Sequence, residues 1–297
     1  MIVIPGPVSP KLGEMIAEEL GVEPHPVDHR LFPDGESYVR ITASVEGQDV
    51  LIVQTTMPRQ DSSLIQLLLM AGTARDMGAR RLICAVPYLA YSRQDKRFLD
   101  GEALSLDLCT ELLEAAGVDE LIVVDAHSDA SLRRVQGNRT MRIVNLSAIP
   151  LLAKHLVSLG FEGAYGLSPD KGAIHLAKAG AEVLKGDHGF FEKTRDRRTG
   201  EIEMRVKDVD VEGGKAVVFD DIISSGGTMA KAVAGLKAQG AISVAAACTH
   251  GLFMGGAEEK IKAAGADFIL ATDTVETPYS HVSVAKLIAE HVRREMK

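Results

Sequence analysis

The chain is poor in cysteine, in net positive charge and in long apolar runs, and each shortage excludes a class of protein. Its 297 residues include three cysteines, Cys84, Cys109 and Cys248. These cysteines show no metal-ligand spacing, so we expect no disulfide framework and a reducing compartment. The formal net charge of −8 argues against nonspecific binding to nucleic acid or anionic membranes. No apolar run reaches transmembrane length and residues 1–6 lack the features of a signal peptide, so a cytoplasmic protein is expected.

Apolar strand-like runs alternate with amphipathic helical stretches along the sequence. The predicted strands are Val50–Gln54, Leu82–Val86, Leu121–Asp125, Ala216–Asp220, Val244–Cys248 and Phe268–Thr272. The predicted helices are Leu64–Met77, Leu106–Ala115, Met229–Gln239 and Ala257–Ala264. Buried parallel strands joined by helical crossovers give this pattern. It therefore predicts an α/β protein whose ligands bind at the carboxyl ends of the strands.

The two halves of the chain share a local pattern that indicates an internal duplication. Residues 113–119 and the strand that ends at Asp125 resemble residues 261–267 and the strand that ends at Asp273. Between matching glycines the first half is 14 residues longer, and the extra residues lie around 91–101. This insertion is rich in Arg, Lys and aromatic residues. It is either a polyphosphate clamp or mobile lid, or a solvated charged loop.

Two adjacent carboxylates, Asp220 and Asp221, end the apolar run of residues 216–220. A loop of Ser, Gly and Thr follows at residues 224–228 and leads into a predicted helix. Hydroxyl and N–H groups at a helix N-terminus suit a phosphate, and paired carboxylates suit sugar hydroxyls or a hard cation. The alternative is an ordinary turn with a capping serine. That alternative does not explain why two carboxylates stand at the end of a buried strand, where they are costly to desolvate without a ligand. The stretch therefore predicts a phosphorylated-sugar site and resembles the ribose-5-phosphate loop of phosphoribosyltransferase-fold proteins.

Other polar residues are predicted to lie at the same edge of the sheets. His127 follows a strand end, where a neutral imidazole can help position a metal–nucleotide complex, although a structural role is the alternative. Asp170 is a third carboxylate that can join the acidic pair around a divalent cation. Lys193 and Arg195 alternate along an extended segment, so both point the same way and suit an anionic phosphate transition state. A charged hairpin tip is the alternative for this second basic loop.

Six short motifs occur in an order and spacing similar to those of the ribose-phosphate diphosphokinase (phosphoribosyl pyrophosphate synthetase) family. They are Phe32–Glu36, Tyr91–Asp95, Asp125–His127, Ser168–Asp170, Lys193–Arg195 and Asp220–Thr228. From composition alone the first motif is only a tight turn between short strands. Each motif alone is weak to moderate evidence, but all six together are highly specific, and the resemblance extends over nearly the whole chain.

The resemblance implies an activity and a role for each motif. The family transfers the pyrophosphoryl group of Mg-ATP to the C1 hydroxyl of ribose 5-phosphate, which gives phosphoribosyl pyrophosphate and AMP. ATP would contact Phe32, Asp34, Gly35, Glu36, Arg93, Gln94 and His127. Ribose 5-phosphate would contact Arg195, Asp220, Asp221, Ser224, Ser225, Gly226, Gly227 and Thr228. Lys193 and Arg195 would be catalytic, and His127 and Asp170 would be associated with Mg²⁺.

The resemblance also implies two tandem phosphoribosyltransferase-like domains, at 1–143 and 144–297, each an open sheet of mostly parallel strands flanked by helices. A C-terminal helix at Val282–Arg293 is expected to pack on the second domain. A homo-oligomer is expected, in which the turn Phe32–Glu36 reaches a neighbouring subunit. Differences such as Lys171–Ala173 resemble archaeal-type members and leave the oligomer size and the regulation by phosphate or ADP open. A base phosphoribosyltransferase and a catalytically inert regulator that binds phosphoribosyl pyrophosphate remain alternatives.

Overall fold

The computed structural model describes residues 1–195, 202–207 and 210–296. Of residues 193–195 and 202–207 it describes the backbone alone. The strands are β1 Ile2–Pro5, β2 Asp28–Leu31, β3 Ser37–Arg40, β4 Asp49–Val53, β5 Arg81–Ala85, β6 Glu120–Val124, β7 Arg142–Leu146, β8 Tyr165–Ser168, β9 His188–Arg195, β10 Ile202–Lys207, β11 Lys215–Ile223, β12 Ser243–Gly251, β13 Phe268–Thr272 and β14 Ser280–Val282. The helices are α1 Pro10–Leu20, α2 Gln60–Asp76, α3 Ser105–Ala115, α4 Asp129–Gln136, α5 Ile149–Ser158, α6 Ile174–Leu184, α7 Gly227–Ala238, α8 Ala257–Ala263 and α9 Ala285–Glu295.

The chain divides into two compact units. Unit 1 comprises Met1–Leu146 and Ser283–Lys297, and unit 2 comprises Ser147–Val282. This division differs from the predicted one at the C-terminus, because α9 packs against α1 in unit 1 rather than on the second domain. The apolar face of α9 is buried there, with Ile288 and Val292 both inaccessible to solvent. None of the described helices is long and apolar enough to cross a membrane.

Each unit contains a five-stranded parallel arrangement with the same connection order. In unit 1 the order is β1-β4-β5-β6-β7, and in unit 2 the order β8-β11-β12-β13-β14 repeats it. All neighbours within these two sets are parallel. Unit 2 extends its sheet with the antiparallel hairpin β9–β10, whereas the hairpin β2–β3 of unit 1 forms a separate sheet. The predicted class, two mostly parallel sheets flanked by helices, is confirmed.

The central strands are continuous apolar runs because helices cover both faces of the sheet. In β11, Val217 and Phe219 belong to one core cluster, while Ala216 and Val218 belong to the cluster on the opposite face. All four are inaccessible to solvent. Successive side chains of a strand point to opposite faces, so an uninterrupted apolar run supplies both cores and leaves the strand end for polar residues.

The duplication seen in the sequence is matched by equivalent hydrogen bonds in the two units. In unit 1 the Oδ2 atom of Asp119 accepts from Arg75 Nη2 at 2.6 Å and from a backbone N–H of β5 at 2.7 Å. In unit 2 the Oδ2 atom of Asp267 accepts from Lys237 Nζ at 2.9 Å and from a backbone N–H of β12 at 2.8 Å. The same carboxylate therefore joins a helix end to a strand start in both units.

Candidate functional site

The loop between β11 and α7 consists of residues 224–226 and leads directly into the helix. Gly226 occupies the N-cap position with a φ of 73°, in the left-handed region that favours glycine. No side chain caps α7, so the first N–H groups of the helix face outward without an internal acceptor. Ser225, Gly227 and Thr228 are exposed. Backbone N–H groups and hydroxyls are thus presented together, as a phosphate requires.

The adjacent carboxylates Asp220 and Asp221 lie near the end of β11 and are partly buried. Burial raises the pKa of Asp220 well above its ordinary range, and the Asp221 carboxylate and the charge of Asp170 raise it further. A backbone N–H donates to each side chain of the pair, at 3.0 Å to Asp220 Oδ1 and at 2.9 Å to Asp221 Oδ1. The pair is therefore costly to ionise in the ligand-free protein, and a cation or hydroxyl donors would offset that cost.

Asp170 lies just beyond β8, the strand that pairs with β11. Its Oδ1 atom accepts from Gly172 N at 2.9 Å, and the residue is exposed to solvent. Because Val218 of β11 pairs with Leu167 of β8, Asp170 and the acidic pair lie at the same edge of the sheet, and the charge of Asp170 contributes to the raised pKa of Asp220. Among the described residues no group of three or more His, Cys, Asp or Glu side chains forms a metal-binding cluster. The donor set fits Mg²⁺ held through one or two carboxylates, water and substrate phosphates, which is the usual mode for this ion.

The predicted catalytic residues Lys193 and Arg195 lie in β9, at the edge of the unit 2 sheet. Their backbones pair with Met204 and Ile202 of β10 in an antiparallel hairpin. Their side chains lie outside the described part of the structure, as do the hairpin-tip residues 196–201. The extended backbone expected for this pair is confirmed, and their roles stay predictions.

The insertion of unit 1 connects β5 to α3 and is fixed at Asp95. Asp95 is 8% exposed, and its Oδ2 atom accepts from Ser131 Oγ of α4 at 2.6 Å. Burial raises the pKa of Asp95, but hydrogen bonds from serine hydroxyls and the charge of His127 outweigh it and leave the pKa below its ordinary value. The contact places exposed Arg93 and Gln94 on the same side of unit 1 as exposed His127. These three predicted nucleotide-contacting residues therefore share one region.

The turn Phe32–Glu36 connects β2 and β3, and all five of its residues are exposed. The N–H of Phe32 donates to the carbonyl of Glu36 at 2.8 Å, and Asp34 Oδ1 accepts from Glu36 N at 3.2 Å. Gly35 has a φ of 95°, which favours glycine at this position. The Phe32 ring packs edge-on against Tyr38 with centroids 6.0 Å apart. The turn thus presents an aromatic ring and two carboxylates to solvent at the tip of a hydrogen-bonded hairpin.

A segment that sequence reasoning did not identify supports the loop of residues 224–226. The N–H groups of Leu252 and Phe253 donate to the carbonyl of Ile223 at 2.9 and 3.1 Å, and Met254 N donates to the carbonyl of Ser224 at 2.9 Å. These are backbone contacts between residues far apart in the sequence. No pattern of side chains could have indicated them.

Two family models match the chain, in the order of the two sheets. The N-terminal domain of ribose phosphate pyrophosphokinase matches residues 1–117, and the phosphoribosyl transferase domain matches residues 167–285. Together they cover the Phe32–Glu36 turn, the insertion, Asp170 and the loop after β11. The matches agree with the tandem arrangement predicted from the sequence.

Similar proteins cover nearly the full length of the chain. A ribose-phosphate pyrophosphokinase of Saccharolobus solfataricus is 39% identical over 93% of this chain and 93% of its own, and one of Methanothermobacter thermautotrophicus is 40% identical over 95% and 96%. The crystal structure of phosphoribosylpyrophosphate synthetase from Mycobacterium smegmatis superposes with a TM-score of 0.87 at 30% identity, covering 99% of this chain and 98% of that one. The resemblance to archaeal-type members is confirmed. The chain belongs to the ribose-phosphate pyrophosphokinase family.

Proposed function

We propose that the chain transfers the pyrophosphoryl group of Mg-ATP to the C1 hydroxyl of ribose 5-phosphate, with AMP and phosphoribosyl pyrophosphate as products. One observation carries the proposal beyond family membership. Unit 2 combines an uncapped helix N-terminus with an adjacent carboxylate pair, in which burial raises the pKa of Asp220, on the same strand–loop–helix segment. Hydrogen-bond donors for a phosphate and carboxylate acceptors for sugar hydroxyls are then available at the two ends of one small ligand, as a sugar phosphate requires.

At the sugar end, the loop Ser224–Thr228 would bind the 5-phosphate through backbone N–H groups and hydroxyls. Asp220 and Asp221 would accept hydrogen bonds from the ribose hydroxyls. These interactions fix the C1 hydroxyl relative to the protein, and positioning of this kind supplies much of the catalysis of phosphoryl transfer. Arg195 would add a cation near the phosphate.

At the nucleotide end, adenine would pack on Phe32, with Asp34, Gly35 and Glu36 around it. Arg93, Gln94 and His127 would contact ATP from the insertion and from the start of α4. In-line attack by the sugar hydroxyl at the β-phosphorus breaks the bond to the α-phosphate oxygen, and AMP leaves. Negative charge grows on the transferred group and on the departing AMP oxygen, so the cations Lys193, Arg195 and Arg93 would stabilise the transition state.

Mg²⁺ would be associated with Asp170 in unit 2 and with His127 in unit 1. When bound, Mg²⁺ neutralises charge on the phosphates of ATP. Asp170 is suited to this association because it is exposed at the edge of the sheet that also carries Asp220 and Asp221. The carboxylate oxygens of Asp220 and Asp221 would meanwhile remain directed to the sugar.

We further propose that residues 1–143 chiefly bind ATP and residues 144–297 chiefly bind ribose 5-phosphate. The C-terminal helix of the second range is structurally part of unit 1, so the functional and structural divisions differ there. We propose that the protein is cytoplasmic and that it forms a homo-oligomer. The exposed Phe32–Glu36 turn supports an oligomer, because in an oligomer it would reach a site on a neighbouring subunit.

The test is the formation of AMP from Mg-ATP with and without ribose 5-phosphate, with both products followed. AMP that appears only with the sugar phosphate, in equal amount to phosphoribosyl pyrophosphate, supports the proposal. Consumption of phosphoribosyl pyrophosphate with a base would instead indicate a phosphoribosyltransferase. Binding without any turnover would indicate an inert regulator.

The variant Lys193→Ala is the sharpest test of the catalytic assignment. Loss of one transition-state cation should lower kcat by about 10³-fold, while binding of ribose 5-phosphate is largely retained. Lys178→Ala, which removes an exposed lysine of α6, serves as the matched control and should keep wild-type turnover. Full activity of Lys193→Ala would refute the role given to this residue.

A further inference from the structure

Three successive carbonyl groups, of Ile223 at the end of β11 and of Ser224 and Ser225 in the loop after it, accept hydrogen bonds from a segment formed by residues 252–260. Residues 252–254 hold the carbonyls of Ile223 and Ser224 through backbone hydrogen bonds. The third carbonyl, of Ser225, accepts from the ammonium of Lys260 at 3.3 Å. Lys260 lies on α8, whose first residue also packs against the loop. This third contact is the one made by a side chain rather than by the backbone.

The held carbonyls determine where the loop N–H groups point. In a planar trans peptide the C=O and the following N–H point in opposite directions, and none of these three peptide bonds is cis. The N–H groups of Ser224, Ser225 and Gly226 are therefore directed away from the segment that holds the carbonyls. Within the described parts of the chain these three N–H groups have no protein acceptor. Successive N–H groups that face one side form an anion-binding concavity.

We infer that Lys260 is a positioning residue for ribose 5-phosphate, because it fixes the third peptide of the phosphate loop and so directs the Gly226 N–H toward the 5-phosphate. The inference rests on the proposed function, since it assigns this loop to a phosphate. Lys260 acts through the carbonyl of Ser225 and need not touch the substrate. Its removal would leave the two backbone contacts of the loop intact and would free the third peptide to rotate.

A simple effect of charge is the competing explanation, since any cation on α8 attracts a phosphate. Lys262 offers a matched control because it lies on the same helix and carries the same charge. Its ammonium donates to the hydroxyl of Tyr279 at 2.8 Å and makes no contact with the loop carbonyls. Lys260→Met and Lys262→Met thus remove equal charge but differ in the contact with Ser225.

The experiment measures steady-state kinetics of the full-length enzyme with Lys260→Met, Lys260→Arg and Lys262→Met. A loop that is aligned about a tenth of the time binds its ligand about tenfold more weakly. Lys260→Met should therefore raise the KM for ribose 5-phosphate about tenfold, with kcat and the KM for ATP changed less than about twofold. Lys260→Arg should restore most of the affinity, because a guanidinium can also donate to the carbonyl. Lys262→Met should resemble the wild type.

Two results would overturn the inference. One is an unchanged KM for ribose 5-phosphate in Lys260→Met, and the other is an equal rise in Lys262→Met, which would indicate charge alone. If the wild type forms no sugar-dependent AMP, the proposed function fails separately, and the same variants are then compared by calorimetric titration with ribose 5-phosphate. Tenfold weaker binding to Lys260→Met in that titration supports the inference, and equal binding refutes it. Equal melting temperatures of the variants exclude a general loss of structure.

Discussion

Replacement of Gly226 by alanine should disturb the phosphate loop in two ways that the structure separates. The residue has a φ of 73°, which a residue with a Cβ atom adopts only with strain. A Cβ atom at this position would also lie 2.8 Å from the carbonyl oxygen and 2.9 Å from the Cα atom of Ala257. Both of these are backbone atoms at the start of α8, so neither can rotate away. The loop, the helix or both must shift.

The size of the effect follows from these two terms. The left-handed backbone costs a residue with a side chain about 1–2 kcal/mol, and overpacking against fixed atoms adds about 1–3 kcal/mol. Gly226→Ala should therefore destabilise the protein by about 2–5 kcal/mol. Gly163→Ala is the matched control, because Gly163 has a φ of 79° in the same unit and a Cβ atom there would meet nothing within 4 Å. It should lose only about 1–2 kcal/mol, through strain alone.

Thermal unfolding and calorimetric titration with ribose 5-phosphate would test this reasoning. At about 2–4 °C per kcal/mol, the melting temperature should fall clearly further in Gly226→Ala than in Gly163→Ala. Only Gly226→Ala should bind the sugar phosphate more weakly, by about tenfold or more, because the loop N–H groups lose their alignment. Equal melting temperatures for the two variants, or unchanged affinity in Gly226→Ala, would refute the argument from close packing.

Two further predictions concern buried charge. Asp220→Asn should stabilise the ligand-free protein at neutral pH by about 1 kcal/mol while it abolishes turnover. Because the pKa of Asp220 is raised in the folded state, the wild type loses stability as the pH rises from the ordinary pKa of 3.8 through the folded-state pKa. The higher melting temperature of Asp220→Asn relative to the wild type should therefore disappear as the pH falls to about 3.8. A difference in melting temperature that is independent of pH would contradict this. Glu120 is 2% exposed and bonds to His291 Nε2 at 2.7 Å and Arg81 Nη2 at 2.6 Å, so Glu120→Gln should lower the free energy of unfolding by about 3 kcal/mol in urea titrations. A loss below about 1 kcal/mol would show that the Glu120 contact contributes little to holding the C-terminal helix, which Arg81 and Arg142 also contact through Glu295.

The central strands could be predicted closely because buried parallel strands are continuous apolar runs. β13 has the predicted bounds Phe268–Thr272, and the other predicted strands differ at their ends. The largest differences are in β11 and β12, which were predicted to end at Asp220 and Cys248 but continue to Ile223 and Gly251. The last residues of β11 pair with His250 and Gly251 of β12. Two adjacent carboxylates in a sequence predict the end of a strand. Only the backbone pairing with β12 shows that β11 continues beyond them.

The position of the C-terminal helix could not be predicted. Its amphipathic sequence indicates a helix with one apolar face, but such a face fits any exposed apolar surface. In the structure that surface belongs to unit 1, and His291 of the helix forms a buried hydrogen bond with Glu120. The two residues are 171 positions apart, a separation over which sequence periodicity carries no information.

The sequence by itself determined the alternation of strands and helices, the duplication, the six motifs and the family, because these depend on residue type and on spacing along the chain. Only the tertiary structure decided that the C-terminal helix belongs to unit 1 and that residues 252–254 hold the phosphate loop. The contact of Lys260 with the Ser225 carbonyl joins residues 35 positions apart. Such contacts arise from the packing of neighbouring strands and helices, so the direction of a loop N–H group is fixed by distant residues that no local pattern can indicate.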